Sequence, residues 1–456
     1  MTPPMRLLLV TDSYPPLIGG ADLQTQMLAH AMRDAGHEVA VVTGWQPGLA
    51  ELDDDAGVTV RRVRALTTRV PWFSGDPGHR HHPPFPDPGA ILPIRRLVRD
   101  RRVELVHSYG WITYSAAAAL IGTRVPLLVT ARDYGYVCGV RNYLYYRGTV
   151  CSGPAPLKCL RCASATYAQE AAGNAVLGAG GARVGLADRL RGAAKGIVAA
   201  GGTFLGRPIL RHRPWALHSN SQFVQGVMDR HLVGPRATAA PVLDVVIPSF
   251  LPAREAGTPD AAFLDRLPSE PFLLFVGALL PEKGIWPLLD AYQRLRPPAP
   301  PLVLIGPTTA KAPTDYPPGV RFLGPTSHAT VMAAWDRALL GVVPSVGAET
   351  FGNVATEAMS RGRAVVASRL GGLVDIIVDG DSGLLVPPGD PSALATAIQH
   401  LVDDPAERDR LGAAARVRVE RFTASQVLPR FAALYANVLE AARGGASTRS
   451  SSKVGR

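Results

Sequence analysis

Short apolar runs ending in polar residues alternate with helical spacings along most of the chain. "RLLLVTD", residues 6–12, is one such run. In "ADLQTQMLAHAMRDAG", residues 21–36, Leu23, Met27, Leu28, Ala31 and Met32 recur at helical spacing and predict an amphipathic helix. Gly36 ends it, and "HEVAVVT" is the next buried strand. Strand, helix and strand with short joins predict a parallel, doubly wound sheet. The unit returns at "RVELVHSY", "VPLLVTARD" and "WALHSNS". It restarts at "FLLFVGALLPEKGIWPLLDAYQRL" and continues through "PLVLIG", "VRFLG", "LLGVVPS", "RAVVAS" and "GLLVPP".

Two such series predict an α/β protein of two Rossmann-like domains. We place the first at residues 1–245 and the second at 246–425, with "PSFLPAREAGTPDAAFLDRLPSEP" between the two series. A helix at 426–443 is expected to cross back to the first domain, and 444–456 reads as a disordered tail. Residues 71–89, "PWFSGDPGHRHHPPFPDPG", read as a loop.

The length of 456 residues exceeds one compact core and suits two. Apolar residues make up 47% and charged residues 19%, a globular profile. The net charge of +11 admits an acidic substrate, an anionic membrane surface or nucleic acid. No platform of interleaved basic and aromatic residues is apparent, so nucleic acid is not an expected partner. The N-terminus "MTPPMRLLLVTDSYPP" does not read as a secretory signal. The longest uncharged stretch, Leu105 to Thr123, holds His107, Ser108, Tyr109, Thr113 and Tyr114, too polar for a membrane span. The expected location is the cytoplasm, with the inner face of the membrane as a docking surface. Residues 183–213 motivate that surface: Arg183, Arg189, Arg191, Lys195, Arg207, Arg211 and Arg213 stand against Asp188, interleaved with Leu186, Leu190, Ile197 and Leu205.

Three loop segments carry candidate chemistry. "PPLIGG" opens the first helix, and Gly19 and Gly20 would let backbone approach an anion at its N-terminus. "FVGALLPEKGIW" sets Lys283 between a strand and a helix, where it can neutralise a phosphate that gains charge. "PSVGAETFGNVATEAMSRGRAVVAS" sets Glu349 in a loop and Glu357 in the first helical turn, with "TFGNVAT" between them. Gly352 and Asn353 lie at the helix N-terminus, whose free N–H groups point out. A carboxylate accepts two hydrogen bonds and suits vicinal sugar hydroxyls; equally, Glu357 favours the helix dipole and Glu349 could be solvated. The acidic runs at Asp53–Asp55 and Asp379–Asp381 fit an Asp-x-Asp pattern, but read as a loop and a turn, so no catalytic metal is expected.

The stretch "PSVGAETFGNVATEAMSRGRAVVASRLGGLVDIIVDGDSGLLVPPGD" resembles the signature of family 4 retaining glycosyltransferases. The resemblance runs from "PPLIGG" to "VLPRFAALYANVLEAA", nearly the whole chain. It implies the GT-B fold, two Rossmann-like domains facing across a cleft. It implies a nucleotide-diphosphate sugar as donor, bound in the second domain, and an acceptor bound in the first. That acceptor is unidentified, a lipid-linked one or a cell-envelope glycan being candidates. By resemblance Glu349 contacts the donor sugar and Glu357 the ribose. Phe351, Gly352, Asn353 and Val354 cradle the donor, Lys283 binds the diphosphate, and Gly19 and Gly20 close over it. His107 matches a common catalytic histidine. Arg132, with Asp133 beside it in "TARDY", is a candidate phosphate or acceptor contact. Relatives usually carry Arg where this chain has Ala278, and Glu where it has Asp375. Two other readings stay open: a nucleotide-sugar epimerase of the same fold, and a non-catalytic nucleotide-sugar-binding protein.

All four cysteines, Cys138, Cys151, Cys159 and Cys162, fall within "CGVRNYLYYRGTVCSGPAPLKCLRC". Cys159 and Cys162 form a CxxC pair, which chelates metals readily. A branch of the family carries a similar segment. A structural zinc, an iron–sulfur cluster and four free thiols are all open.

Overall fold

In a computed structural model the apolar runs become the strands of two sheets. The structure describes residues 3–16, 20–66, 82–145, 148–177, 186–212, 215–233, 243–252, 257–308 and 312–451. The first sheet comprises β1 (Arg6–Thr11), β2 (Glu38–Gly44), β3 (Leu52–Asp55), β4 (Val58–Val63), β5 (Leu105–Tyr109), β6 (Leu127–Ala131), β7 (Ala216–Ser219) and β8 (Leu243–Val246). Its order is β3-β4-β2-β1-β5-β6-β7-β8, parallel throughout except for β3. The second comprises β9 (Leu273–Val276), β10 (Leu302–Ile305), β11 (Val320–Gly324), β12 (Leu340–Val343), β13 (Val365–Ser368) and β14 (Leu384–Val386). Its order is β11-β10-β9-β12-β13-β14, all parallel.

Each order reverses once, between β1 and β5 and between β9 and β12. In open sheets of this kind the crevice beyond the strand C-termini at the reversal is where ligands bind. The fold therefore directs attention to the loops after Thr11, Tyr109, Val276 and Val343.

Helix starts follow sequence signals. Asp87, Asp390 and Asp404 each precede a proline, accept an amide hydrogen bond from the first turn, and so cap helices Pro88–Asp100, Pro391–Asp403 and Pro405–Val419. Helix Ala424–Ser451 leaves the second domain and packs on the first. Its Val427, Phe431, Tyr435 and Val438 are buried with Leu7, Leu9 and Leu105. Burying each such side chain contributes about 1.5–3 kcal/mol, which holds the crossing. The helix continues to Ser451, into residues read as a disordered tail, because an existing helix gains a hydrogen bond for each residue added.

The run Asp53–Asp55, read as a loop, is instead the edge strand β3, antiparallel to β4. Its carboxylates have partners that suit that place: Arg62 for Asp53, and Tyr14, Gln26 and His30 for Asp55. Asp379 does lie in a turn, where it accepts from Leu385 N and pairs with Arg369. Between β6 and β7 two long helices, Pro156–Leu177 and Leu186–His212, form a hairpin whose chains meet at Gly192 and Gly196.

Candidate active site

The loops at the two reversals face each other across a cleft of about 460 Å³, a size that suits a small-molecule ligand. Lys283, Glu349, Phe351, Gly352, Asn353, Val354 and Glu357 all line it from the second domain. From the first come Thr25, Tyr109, Arg132 and His218.

Backbone fit sets the second-domain wall. Lys283 ends a short turn, Pro281–Lys283, and Gly284 follows at φ 78°. A Cβ at Gly284 would stand 1.9 Å from the Pro344 carbonyl oxygen, so only glycine lets the turn press against the loop after β12. Gly371, at φ 64°, is wedged likewise: its Cβ would lie 2.3 Å from the Glu349 oxygen. Gly372 N donates to that same oxygen at 2.7 Å. Two turns, one on each side, thus hold the segment that carries Glu349.

Lys283 Nζ donates to Glu349 Oε1 at 2.7 Å, and Ser345 Oγ donates to the same oxygen at 2.7 Å. Burial opposes both charges, yet their attraction outweighs it: Lys283 is held above its ordinary range and Glu349 below. Both are therefore charged at neutral pH. Glu357 Oε1 lies 3.3 Å from His328 Nε2. That hydrogen bond lifts the imidazole above its ordinary value, against the effect of burial. Helix Asn353–Ser360 aims its first amide groups into the cleft, where they and its dipole favour an anion.

On the opposite wall Arg132 is steered by two hydroxyls, Thr25 Oγ1 at 2.6 Å and Thr11 Oγ1 at 2.8 Å, and lies over the Tyr109 ring. Helix Gly20–Asp34 begins here; Gly19 lies outside the described residues, as does the side-chain environment of Gly20. Asp133 does not line the cleft. It accepts from Arg141 and from Gly135 N at 2.7 Å, and Arg141 offsets burial to hold its carboxyl below the ordinary range. Arg141 Nη1 also reaches Asp12 Oδ2 at 3.0 Å, and Asp12 caps the turn after β5 through the amides of Trp111 and Ile112.

His107 does not fit the catalytic place expected of it. It is 1% exposed and lies inside β5, behind the cleft wall. Its Nδ1 takes the hydroxyls of Tyr109 and Tyr435 at 2.9 and 2.8 Å, and its Nε2 meets Thr130 Oγ1 at 2.6 Å. Burial drives its basicity well down. It orients Tyr109 and ties the crossing helix to β5. Two more contacts bridge the domains: Tyr134 OH to Ala348 O at 3.1 Å, and Gln222 N to Asp375 Oδ2 at 2.6 Å.

The comparisons agree with this geometry. The family pattern described as "Glycosyl transferases group 1" matches residues 270–404, and that of the "Glycosyl transferase 4-like domain" matches 19–169. The glycogen synthase of Mycobacterium tuberculosis is 26% identical over 91% of this chain and 90% of its own. The phosphatidyl-myo-inositol mannosyltransferase of Mycolicibacterium smegmatis is 35% identical over 39% of this chain and 48% of its own. The chain belongs to the family 4 glycosyltransferases. Among solved structures, sucrose-phosphate synthase from Thermosynechococcus elongatus aligns with a TM-score of 0.66 at 21% identity, over 96% of this chain and 100% of its own. HepE from Anabaena, solved with UDP-glucose, aligns at 0.60 and 17% identity, over 95% of this chain and 100% of its own. Both likenesses show the GT-B fold.

The glycosyltransferase moves a sugar from a nucleotide-sugar donor. Of the residues expected to hold the donor, Lys283, Glu349, Phe351, Gly352, Asn353, Val354 and Glu357 converge on one wall of the cleft, whereas Gly20 opens a helix of the other domain. Ser345 and His328, which hold the two glutamates, escaped sequence reading. The available signal for His328 was the cap "TSH" opening an apolar helix; Ser345 had none. Among the described residues no helix is long and apolar enough to cross a membrane.

Proposed function

We propose that the enzyme transfers a hexosyl group with retention of anomeric configuration, onto an acceptor that enters along the first-domain wall. One observation supports the retention: among the described residues, the carboxylates and imidazoles that line the cleft, Glu349, Glu357, His218 and His328, each have a hydrogen-bond partner inside the protein. Glu349 is held by Lys283 and Ser345, and Glu357 by His328. His218 has both ring nitrogens bonded, to Thr130 Oγ1 and Ile247 O, and burial pushes it down to about 4. An inverting transfer needs a base opposite the leaving group to take the acceptor proton. Here the departing diphosphate oxygen takes it. The C1–O bond breaks toward the diphosphate, the acceptor oxygen bonds to C1 on that same face, and its proton moves to the diphosphate. Lys283 and the amides at Asn353 stabilise the charge that develops.

The lipid-linked acceptor and the anionic membrane draw support from the helical hairpin. Leu186, Leu190 and Ile197 are 73%, 61% and 53% exposed. They share one side of their helix with Arg189, itself exposed. Arg207 is not part of that surface: it is buried and donates to Val137 O. Arg183 and Arg213 lie outside the described residues.

The test is acceptor-dependent release of nucleoside diphosphate from a panel of donors, with product configuration read by NMR. A β-linked product from an α-linked donor would sink retention. Release without any acceptor would favour an epimerase, and binding without release a non-catalytic role. Flotation with anionic and neutral vesicles at low salt tests docking; equal recovery would reject it.

A further inference from the structure

The segment that carries Glu349 is gripped from both domains, and the two grips differ. Within the second domain, Glu282 O accepts from Val346 N and Gly347 N at 3.0 and 2.9 Å, and the turn at Gly371 and Gly372 presses on Glu349 O. Between these holds lies Ala348. It is 6% exposed and is buried in the core cluster of the first domain. Its carbonyl accepts from Tyr134 OH at 3.1 Å, and Leu144 of the first domain stands against Gly347 beside it. Leu370, which precedes the Gly371 turn, packs against the same first-domain cluster.

Tyr134 is suited to this reach. It lies in the loop after β6, two residues beyond Arg132, which lines the cleft. It is buried, and its ring packs on Tyr143 and Phe223 with centroids 5.0 and 6.4 Å away. The ring is thus fixed by its own domain while its hydroxyl serves the other. Asp375 does the converse. It sits in the short helix Leu373–Ile376 that follows Gly371 and Gly372. Arg418 holds that helix to the second domain through Asp375 O and Ile376 O, both at 2.9 Å. The Asp375 carboxylate crosses to the first domain and accepts from Gln222 N at 2.6 Å.

The consequence for Glu349 follows from backbone geometry. The peptide unit between Ala348 and Glu349 is planar, so a hydrogen bond at Ala348 O fixes the plane from which the Glu349 side chain departs. With the domains apart, water takes that carbonyl and the plane loses a restraint. We propose that Tyr134 and Asp375 are positioning residues that set Glu349 for transfer only when the two domains meet. The proposal rests on the assignment of Glu349 to the donor sugar. Glu357, by contrast, is held by His328 of its own domain, so nucleotide binding does not depend on the contact between domains.

The test uses the full chain with the donor and acceptor selected by the release assay, and calorimetry with the nucleoside diphosphate that this donor yields. Tyr134→Phe keeps the ring and removes the hydroxyl. It should lower kcat about 2- to 10-fold, the worth of one net hydrogen bond, and leave the affinity for bare nucleoside diphosphate unchanged. Asp375→Ala should do the same. Asp375→Asn, which keeps an acceptor oxygen for Gln222 N, should recover most of the loss. Tyr143→Phe is the control: its hydroxyl meets His231 inside the first domain at 3.0 Å, so kcat should stay at the parent value. Should Tyr134→Phe not fold, the two Asp375 variants decide. Parental kcat in Tyr134→Phe and Asp375→Ala would overturn the proposal, as would an equal loss of nucleotide affinity, which would mean damage to the donor wall. Those results leave the role of Glu349 standing while Glu349→Ala slows turnover. If Glu349→Ala turns over like the parent, the sugar assignment fails and the coupling with it.

Discussion

The two walls of the cleft are built on the same strand–helix unit but are held in place by different means. On the donor side the loops are short and locked by backbone contact, with Gly284 against Pro344 and Gly371 against Glu349. On the opposite side the loop after β6 is long and is held by side chains that reach across the sequence. Arg141 joins Asp133 to Asp12, Arg132 joins Thr11 to Thr25, and four cysteines gather in one cavity. Backbone locking fixes the donor wall through contacts at which a side chain has no room. Side-chain bracing makes the facing wall depend on contacts between residues far apart in the chain.

The largest expected effect breaks the side-chain brace. Arg141→Met removes the cation between Asp12, which is 2% exposed, and Asp133. Leaving buried charge unpaired should cost about 3–5 kcal/mol of stability, read by urea unfolding. A loss under about 1 kcal/mol would mean that the loop is held by something else.

On the donor side the expected loss is catalytic instead. Lys283→Ala should raise the barrier at saturating donor by about 2.7–4 kcal/mol, measured on the folded variant. Its side chain is 37% exposed and the glycine contacts of its turn survive the change. A variant that turns over like the parent would remove Lys283 from the reaction.

The two glutamates sharpen the donor wall further. Glu357→Ala should weaken binding of bare nucleoside diphosphate by about 1.5–3 kcal/mol, the worth of hydrogen bonds to a charged group. Glu349→Ala should slow turnover yet leave that binding at least as tight, because it frees Lys283 from its partner. Calorimetry on folded variants reads the difference, and equal weakening by both changes would dismiss the assignment of one acid to sugar and one to ribose.

The same contrast explains what could be read without coordinates. The parallel sheets follow from apolar runs such as "RLLLV" and "PLVLI", and Lys283, Glu349 and Glu357 from motifs whose parts sit close in sequence. Arg141 is 129 residues from Asp12, and no local pattern announces that pair. His107 misled for a related reason. The resemblance gave His107 a catalytic place, but it lies inside β5 and Tyr435, 328 residues away, closes over it. The strand at Leu52–Asp55 escaped because three acids suggest solvent, while Tyr14, Gln26, His30 and Arg62 are what make them affordable at a sheet edge.

The smallest expected effect concerns the contact between His328 and Glu357, which raises the histidine above its ordinary value. His328 meets Glu357 at 3.3 Å, the two being 30% and 13% exposed, and its folded-state pKa lies above the ordinary 6.5. A group whose pKa is raised by folding stabilises the fold while protonated. The contribution is therefore full below pH 6.5 and fades as pH rises through the higher folded value. For a partly exposed pair it should stay below about 1 kcal/mol. His328→Ala should lower the melting temperature at pH 5.5 and have a smaller effect at pH 8.5. Glu357→Gln should show the same pH trend, and the double variant should add little to either, since both remove one interaction. A melting deficit for His328→Ala that is equal at both pH values would assign its role to packing under the donor wall, with the ion pair contributing nothing.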